Sequence, residues 1–219
     1  MVTIEVKNFT KIIRKNTVLE NISICMKSGT IYGFQGINGS GKTMLMRSII
    51  GLIHGTSGSI LINEKELGKE IEFPDSIGFL LENPAFLDGY SGMENLKMLT
   101  RLQGNLSEEN LKKLLERVGL AGAGKKKYKK YSLGMKQRLG IAAAVMENPD
   151  ILILDEPMNA LDTEGIECVK QLIAEQKERG ALVILSCHDT DILIHLSDEI
   201  FKLENGHIKE HIIAGGDDE

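Results

Sequence analysis

The sequence predicts an α/β fold: a mostly parallel sheet, an antiparallel β region at its start and a helical insertion inside it. Three observations carry that prediction. The runs "ILIL" before Asp155 and "ALVIL" before Ser186 are continuously apolar, the mark of strands buried on both faces of a parallel sheet. The N-terminal part instead alternates apolar and polar residues with period two. From about residue 84 to 146 the pattern turns helical.

Taken in order, "TIEVKNF" and "LENISICM" read as alternating strands, and "TIYGFQG" as a short buried strand that runs into glycines. Helical spacing begins at Thr43 in "TMLMRSIIGLI" and is expected to stop near Gly55–Gly58. "SILINE" and "SIGFLLE" return to strand. Within the insertion, "GMENLKMLTRL" and "SEENLKKLLERVGL" are helices, the second capped by Ser107 with acids in its first turn. A basic and flexible link, "AGAGKKKYKKYS", precedes the helix "SLGMKQRLGIAAAVMEN", which Pro149 ends. "DTEGIECVKQLIAEQKERG" is a helix between the two buried strands, with Gly180 past its end. "DEIFKLENGHIKEHII" closes as a hairpin turning at Asn205-Gly206, and the tail from about 213 to 219 is expected to be disordered.

Composition narrows the class. The 219 residues suit one domain, with 42% hydrophobic and 26% charged residues as in soluble globular proteins. A net charge of −5 argues against a basic nucleic-acid binder. Cys25, Cys168 and Cys187 are far apart and form no metal or disulfide pattern, so reduced thiols are expected. The start "MVTIEVKNFT" reads as a strand rather than a signal peptide. No apolar run approaches the ~20 residues that span a bilayer.

The chemistry concentrates at "GFQGINGSGKTML". Gly36, Ile37, Asn38, Gly39, Ser40, Gly41, Lys42 and Thr43 fit the phosphate-binding pattern G-x-x-x-x-G-K-[ST]. Glycines let backbone N–H groups turn inward onto phosphate oxygens, and the following helix points its positive end at the same anion. Lys42 reaches the β- and γ-phosphates, and the Thr43 hydroxyl ligates Mg²⁺. Asp155 and Glu156 end a buried strand, where ligands sit in open α/β sheets. Two carboxylates there are costly without a cation or partner. Asp155 is expected to bind Mg²⁺, and Glu156, pointing the other way along the pleat, to polarise the water that attacks the γ-phosphate.

The stretch "YSLGMKQRLGIAAAVMENPDILILDEPMNALD" resembles the segment that defines ATP-binding cassette (ABC) ATPases, and the resemblance extends from the first strand to about Lys209. It implies a P-loop NTPase with an N-terminal antiparallel β subdomain and RecA-like core at about 1–83 and 147–212, and a helical subdomain at about 84–146. The family's signature, L-S-G-G-Q, reads here Tyr131-Ser132-Leu133-Gly134-Met135, similar to cassettes of the bacitracin-resistance type of exporter. In the family this helix tip covers ATP held by a second subunit, so Ser132 and Gly134 would act in trans and two chains would enclose two ATP molecules. Asn159-Ala160-Leu161-Asp162 resembles the loop that couples the two sites across the dimer. His188, after the strand "ALVIL", matches the family's switch histidine at the γ-phosphate.

Two positions depart from the family. Glu82 stands where a glutamine usually senses Mg²⁺ and the permease. A carboxylate keeps the acceptor and loses the amide's donor, so Glu82 is expected to keep the metal role. Ile13 aligns with the aromatic residue that stacks on adenine, offering contact area without a π-face, so that GTP should compete with ATP.

The resemblance implies an ATP-hydrolysing subunit that drives a separate integral membrane permease, with export of a peptide antibiotic, drug or similar compound as the leading reading. It implies a cytoplasmic location on the inner face of the membrane, with membrane contact indirect through the permease. The segment "NPAFLDGYSGMENL" suits a partner's cytoplasmic helix, and Lys125–Lys130 is a solvated loop or a contact to anionic lipid. The alternatives are a soluble cassette ATPase without a permease, serving iron–sulfur assembly, translation or repair, and a P-loop kinase or GTPase.

Overall fold

A computed structural model describes residues 1–103 and 106–213. The expected tail at 214–219 lies outside the described residues, whereas Ile213 belongs to the last strand, not to the tail.

Two sheets form the frame. The first pairs β2 (Asn16–Lys27), β1 (Thr3–Ile13), β4 (Ser57–Ile62) and β5 (Lys65–Glu66), all antiparallel. β1 and β2 are longer than the alternation suggested, because Arg14 and Lys15 turn the chain at φ 48° and 72° without a glycine. Such a two-residue turn needs positive φ at both positions, usually Asn-Gly, so its sequence signal is missing here.

The second sheet runs β10 (His207–Ile213), β9 (Glu199–Glu204), β3 (Ile31–Gln35), β8 (Leu182–Ser186), β7 (Ile151–Leu154) and β6 (Ile77–Leu80). All pair in parallel except β10, which folds back on β9. The continuous runs behave as expected. Ile151, Ile153, Leu182 and Ile184 face one apolar cluster, and Leu152, Leu154, Val183 and Leu185 face another. The first cluster joins the β subdomain to α1 (Lys42–Ile50); the second joins the sheet to the insertion.

α1 stops sooner than expected, at Gly51, which caps it at φ 97°. The insertion holds α2 (Gly92–Gln103), α3 (Glu108–Arg117) and α4 (Leu133–Val145). The link between α3 and α4 is not the flexible segment its charge suggested. Two single 3₁₀ turns form there, and Tyr128 and Tyr131 are buried. The Tyr128 hydroxyl donates to the Pro84 carbonyl (2.5 Å) and the Tyr131 hydroxyl to that of Ala123 (2.9 Å). α5 (Thr163–Glu178) connects β7 to β8, and α6 (Thr190–Leu196), which the sequence reading missed, connects β8 to β9. β3 therefore lies between β8 and β9, and its carboxyl end opens at a crevice in the strand order.

Candidate functional site

The glycine loop leaves β3 at that crevice. Gly41 has φ 111° and caps the start of α1, a conformation closed to ordinary side chains. A Cβ there would also lie 2.8 Å from the Leu19 side chain. Lys42 is 94% buried in the sense that only 6% of it is exposed, and its ammonium bends back to donate to the Gly36 carbonyl (2.6 Å) and the Ile37 carbonyl (3.2 Å). Ser40 Oγ is buried without a partner among the described residues. Above the loop is a cavity of about 240 Å³ lined by Val18, residues 38–44, Asp155 and Glu156. Larger clefts of about 490 and 500 Å³ lie on the insertion and beside β6, but neither joins glycine amides to a lysine and two carboxylates.

Asp155 follows β7 directly and is 5% exposed. Its Oδ2 accepts from Thr43 Oγ1 (2.5 Å) and its Oδ1 from Ser186 Oγ (2.6 Å). These contacts gather two hydroxyls and a carboxylate, hard oxygen donors that fit Mg²⁺. No cluster of three or more His, Cys, Asp or Glu side chains that could hold a metal exists among the described residues.

Glu156 differs from the sequence expectation in one respect. It does not continue the strand pleat, because its φ is 50° and the chain turns there. Its N–H donates to Ser186 Oγ (3.0 Å), and its carbonyl accepts from Gln137 Nε2 (3.1 Å). Its Oε2 accepts from the His188 N–H (2.9 Å). Its Oε1 is buried without a hydrogen bond, although His188 Nε2 stands 3.4 Å away. Burial pushes the Glu156 carboxyl above the usual carboxylate range, and His188 and its N–H offset part of that rise. The His188 imidazole is half-exposed.

Ser132 caps α4 as expected, accepting from the Met135 N–H (3.3 Å). Gly134 is required for close approach within this chain: a Cβ would lie 2.6 Å from the Ala160 carbonyl. Neither residue lines the loop cavity. Asn159 donates its N–H to the Glu156 carbonyl (3.2 Å), and Asp162 caps α5 through the Gly165 N–H (2.9 Å) and pairs with Arg138. The Gly165 amide, with Arg138 beside it, holds the Asp162 carboxyl below the usual range.

Two expected residues are elsewhere. Glu82 (φ 55°) is exposed and pairs with Arg47 of α1 (2.6 Å), not with Thr43 or Asp155. The ion pair forms because the Arg47 guanidinium is within reach of the carboxylate. Ile13 sits at the exposed end of β1; the wall of the cavity is Val18, which follows the unforeseen turn at Arg14–Lys15. Sequence reasoning also missed Ser186 and Gln137. A serine two residues before His188, and a glutamine on the buried face of α4, were the available signals.

The sequence profile of the family described as "ABC transporter" matches residues 19–159. The chain is 46% identical over 206 residues to an uncharacterized ABC transporter ATP-binding protein, YybJ, of Bacillus subtilis (strain 168), covering 94% of each. It is 37% identical to the bacitracin transport ATP-binding protein BcrA of Enterococcus faecalis, over 95% of this chain and 68% of that one. Among solved structures, it superposes on a dimeric bacterial ABC transporter cassette, MJ0796, with TM-score 0.88 and 25% identity, over 98% of this chain and all of that one. The chain belongs to the ABC transporter family, and it is the ATP-binding, ATP-hydrolysing cassette of that family.

Proposed function

We propose that this cassette works with Mg²⁺ as one of two identical cassettes beneath an integral membrane permease, and that it powers export of a peptide antibiotic, drug or similar compound. One observation carries the reading. The phosphate loop, the Thr43–Asp155 pair and the Glu156–His188 pair converge in one chain, while Ser132 and Gly134 stand apart from that cavity. A phosphate in the loop would need a second chain to cover it. The bacitracin transport named for BcrA supports the export reading. No helix among the described residues is long and apolar enough to cross a membrane; in this reading a separate subunit is the permease, and the cassette is cytoplasmic and peripheral.

Thr43 and Asp155 would hold Mg²⁺, which supplies charge neutralisation on the phosphates. Lys42 exchanges its two loop carbonyls for the β- and γ-phosphates, joined by the amides of Gly36, Ile37, Asn38, Gly39, Ser40 and Gly41. Glu156 Oε1, buried with no donor of its own, accepts the proton of the attacking water. His188 meets the γ-phosphate from its exposed position, and Ser132 and Gly134 of the partner cassette close the site. Asn159 and Asp162 couple the two halves. Glu82 would reach the metal only with its Arg47 pair broken, and Val18, which lines the cavity, would border the base.

Replacing Glu156 by Gln tests the scheme. Hydrolysis should fall ~10²–10⁴-fold, the usual worth of a positioned base, while ATP binding persists and ATP drives a monomer to a dimer on size exclusion. Turnover at the wild-type rate refutes the role of Glu156, and failure to co-purify with a polytopic membrane protein refutes the permease.

A further inference from the structure

We infer that Gln137, on the same helix as Ser132 and Gly134, is a positioning residue that holds Glu156 in the backbone conformation hydrolysis requires. The inference rests on the role proposed for Glu156.

Glu156 occupies the left-handed region at φ 50°, which a residue with a Cβ adopts only where its surroundings over-determine it. Four contacts do so. Ser186 receives its N–H, the His188 N–H binds its carboxylate, and Gln137 Nε2 and the Asn159 N–H both donate to its carbonyl. The same nitrogen reaches the Pro157 carbonyl at 3.3 Å, so two successive peptide carbonyls are held by one amide. Both partners are acceptors, which requires the NH₂ end of the side chain to face them. Gln137 is 5% exposed, and without its amide the Glu156 carbonyl keeps only the Asn159 N–H among the donors named here.

Of these four contacts, only the one from Gln137 comes from the inserted helices. α4 is a single helix from Leu133 to Val145 with Ser132 at its cap. Its next residue, Arg138, pairs with Asp162 at the far end of the loop that Glu156 begins. The segment from Glu156 to Asp162 is therefore gripped at both ends by the helix whose tip is expected to cover a partner's nucleotide.

Gln137→Met keeps the length and loses the donor; Gln137→Glu keeps the shape and sets an acceptor against two carbonyls. Measured as single-turnover ATP hydrolysis on the full chain, both should be slowed ~10–100-fold, the range expected when a reacting group is misplaced by about 1 Å. ATP affinity should stay within about twofold of wild type. In the Glu156→Gln background the same Met and Glu changes should cause no further loss, because residues acting through one group are non-additive. ATP-dependent dimerisation in that background should also persist. Wild-type hydrolysis by Gln137→Met, or an equal fold-loss with and without Glu156, overturns the inference. If Glu156→Gln alone hydrolyses normally, the base assignment fails instead, and the two failures are told apart by that single variant.

Discussion

The phosphate loop and the tip of α4 are both built around glycine and serine, yet they reach opposite states. The loop is filled from within: Lys42 binds loop carbonyls, Asp155 binds two hydroxyls, and the residues that border the cavity come from β2, the glycine loop, the start of α1 and the end of β7. The α4 tip has its cap bond and its contact with Ala160, but Leu133 is exposed and no loop-cavity residue lies beside it. The difference matches the proposed function, in which binding belongs to one chain and a second chain completes the site for hydrolysis.

Changes at the two regions should then separate. The largest effect is expected from Thr43→Val, which removes the hydroxyl on Asp155 Oδ2 and leaves a buried carboxylate oxygen short of a donor. It should cost about 1–3 kcal/mol of stability, lower turnover and raise the Mg²⁺ concentration that hydrolysis needs, checked by thermal melting and by metal titration of turnover. Unchanged metal dependence would detach Thr43 from the site.

Gly134→Ala comes next. Its Cβ would press on the Ala160 carbonyl, so the loop from Asn159 to Asp162 must move. Turnover should fall sharply, with equilibrium ATP binding to the single chain kept, as read by a fluorescent nucleotide. Loss of binding in step with turnover would erase the distinction between the regions.

Ser132→Ala should act more gently. Loss of a cap costs about 1 kcal/mol, or about 2–4 °C in Tm for a chain this size. The hydrolysis rate should drop further than that stability loss explains, and ATP affinity should be unaltered.

Asp162 provides the smallest effect and a pH signature. Its folded carboxyl lies below the usual value, so its stabilisation is present above the ordinary carboxylate range and is lost as pH falls through the folded value. Asp162→Asn should therefore melt below wild type at neutral pH, and the gap should close in acid. A gap that widens in acid would reverse the sign of this account.

The loop from Gly36 to Thr43 and the Asp155–Glu156 pair were legible because their chemistry is written in short, consecutive strings. The two buried strands were legible because continuous apolar runs have few other homes. The partners of Glu156 were not, since Ser186 and Gln137 lie 30 and 19 positions away and nothing local announces them. Glu82 showed the limit of a motif position: its neighbour Arg47 decides where its charge rests. The lysines from Lys125 to Lys130 are exposed, as their charge implied, but the buried rings of Tyr128 and Tyr131, which composition did not reveal, set the shape of the segment.

Hydrophobic period and glycine spacing act over a few residues, so the sequence alone was enough to specify the α/β class, the inserted helices and the phosphate loop. The tertiary structure decided the rest: that Glu156 leaves the pleat, that Glu82 faces Arg47, that Val18 rather than Ile13 walls the cavity. Each of those outcomes depends on a hydrogen bond, an ion pair or a turn that exists only after distant segments have packed.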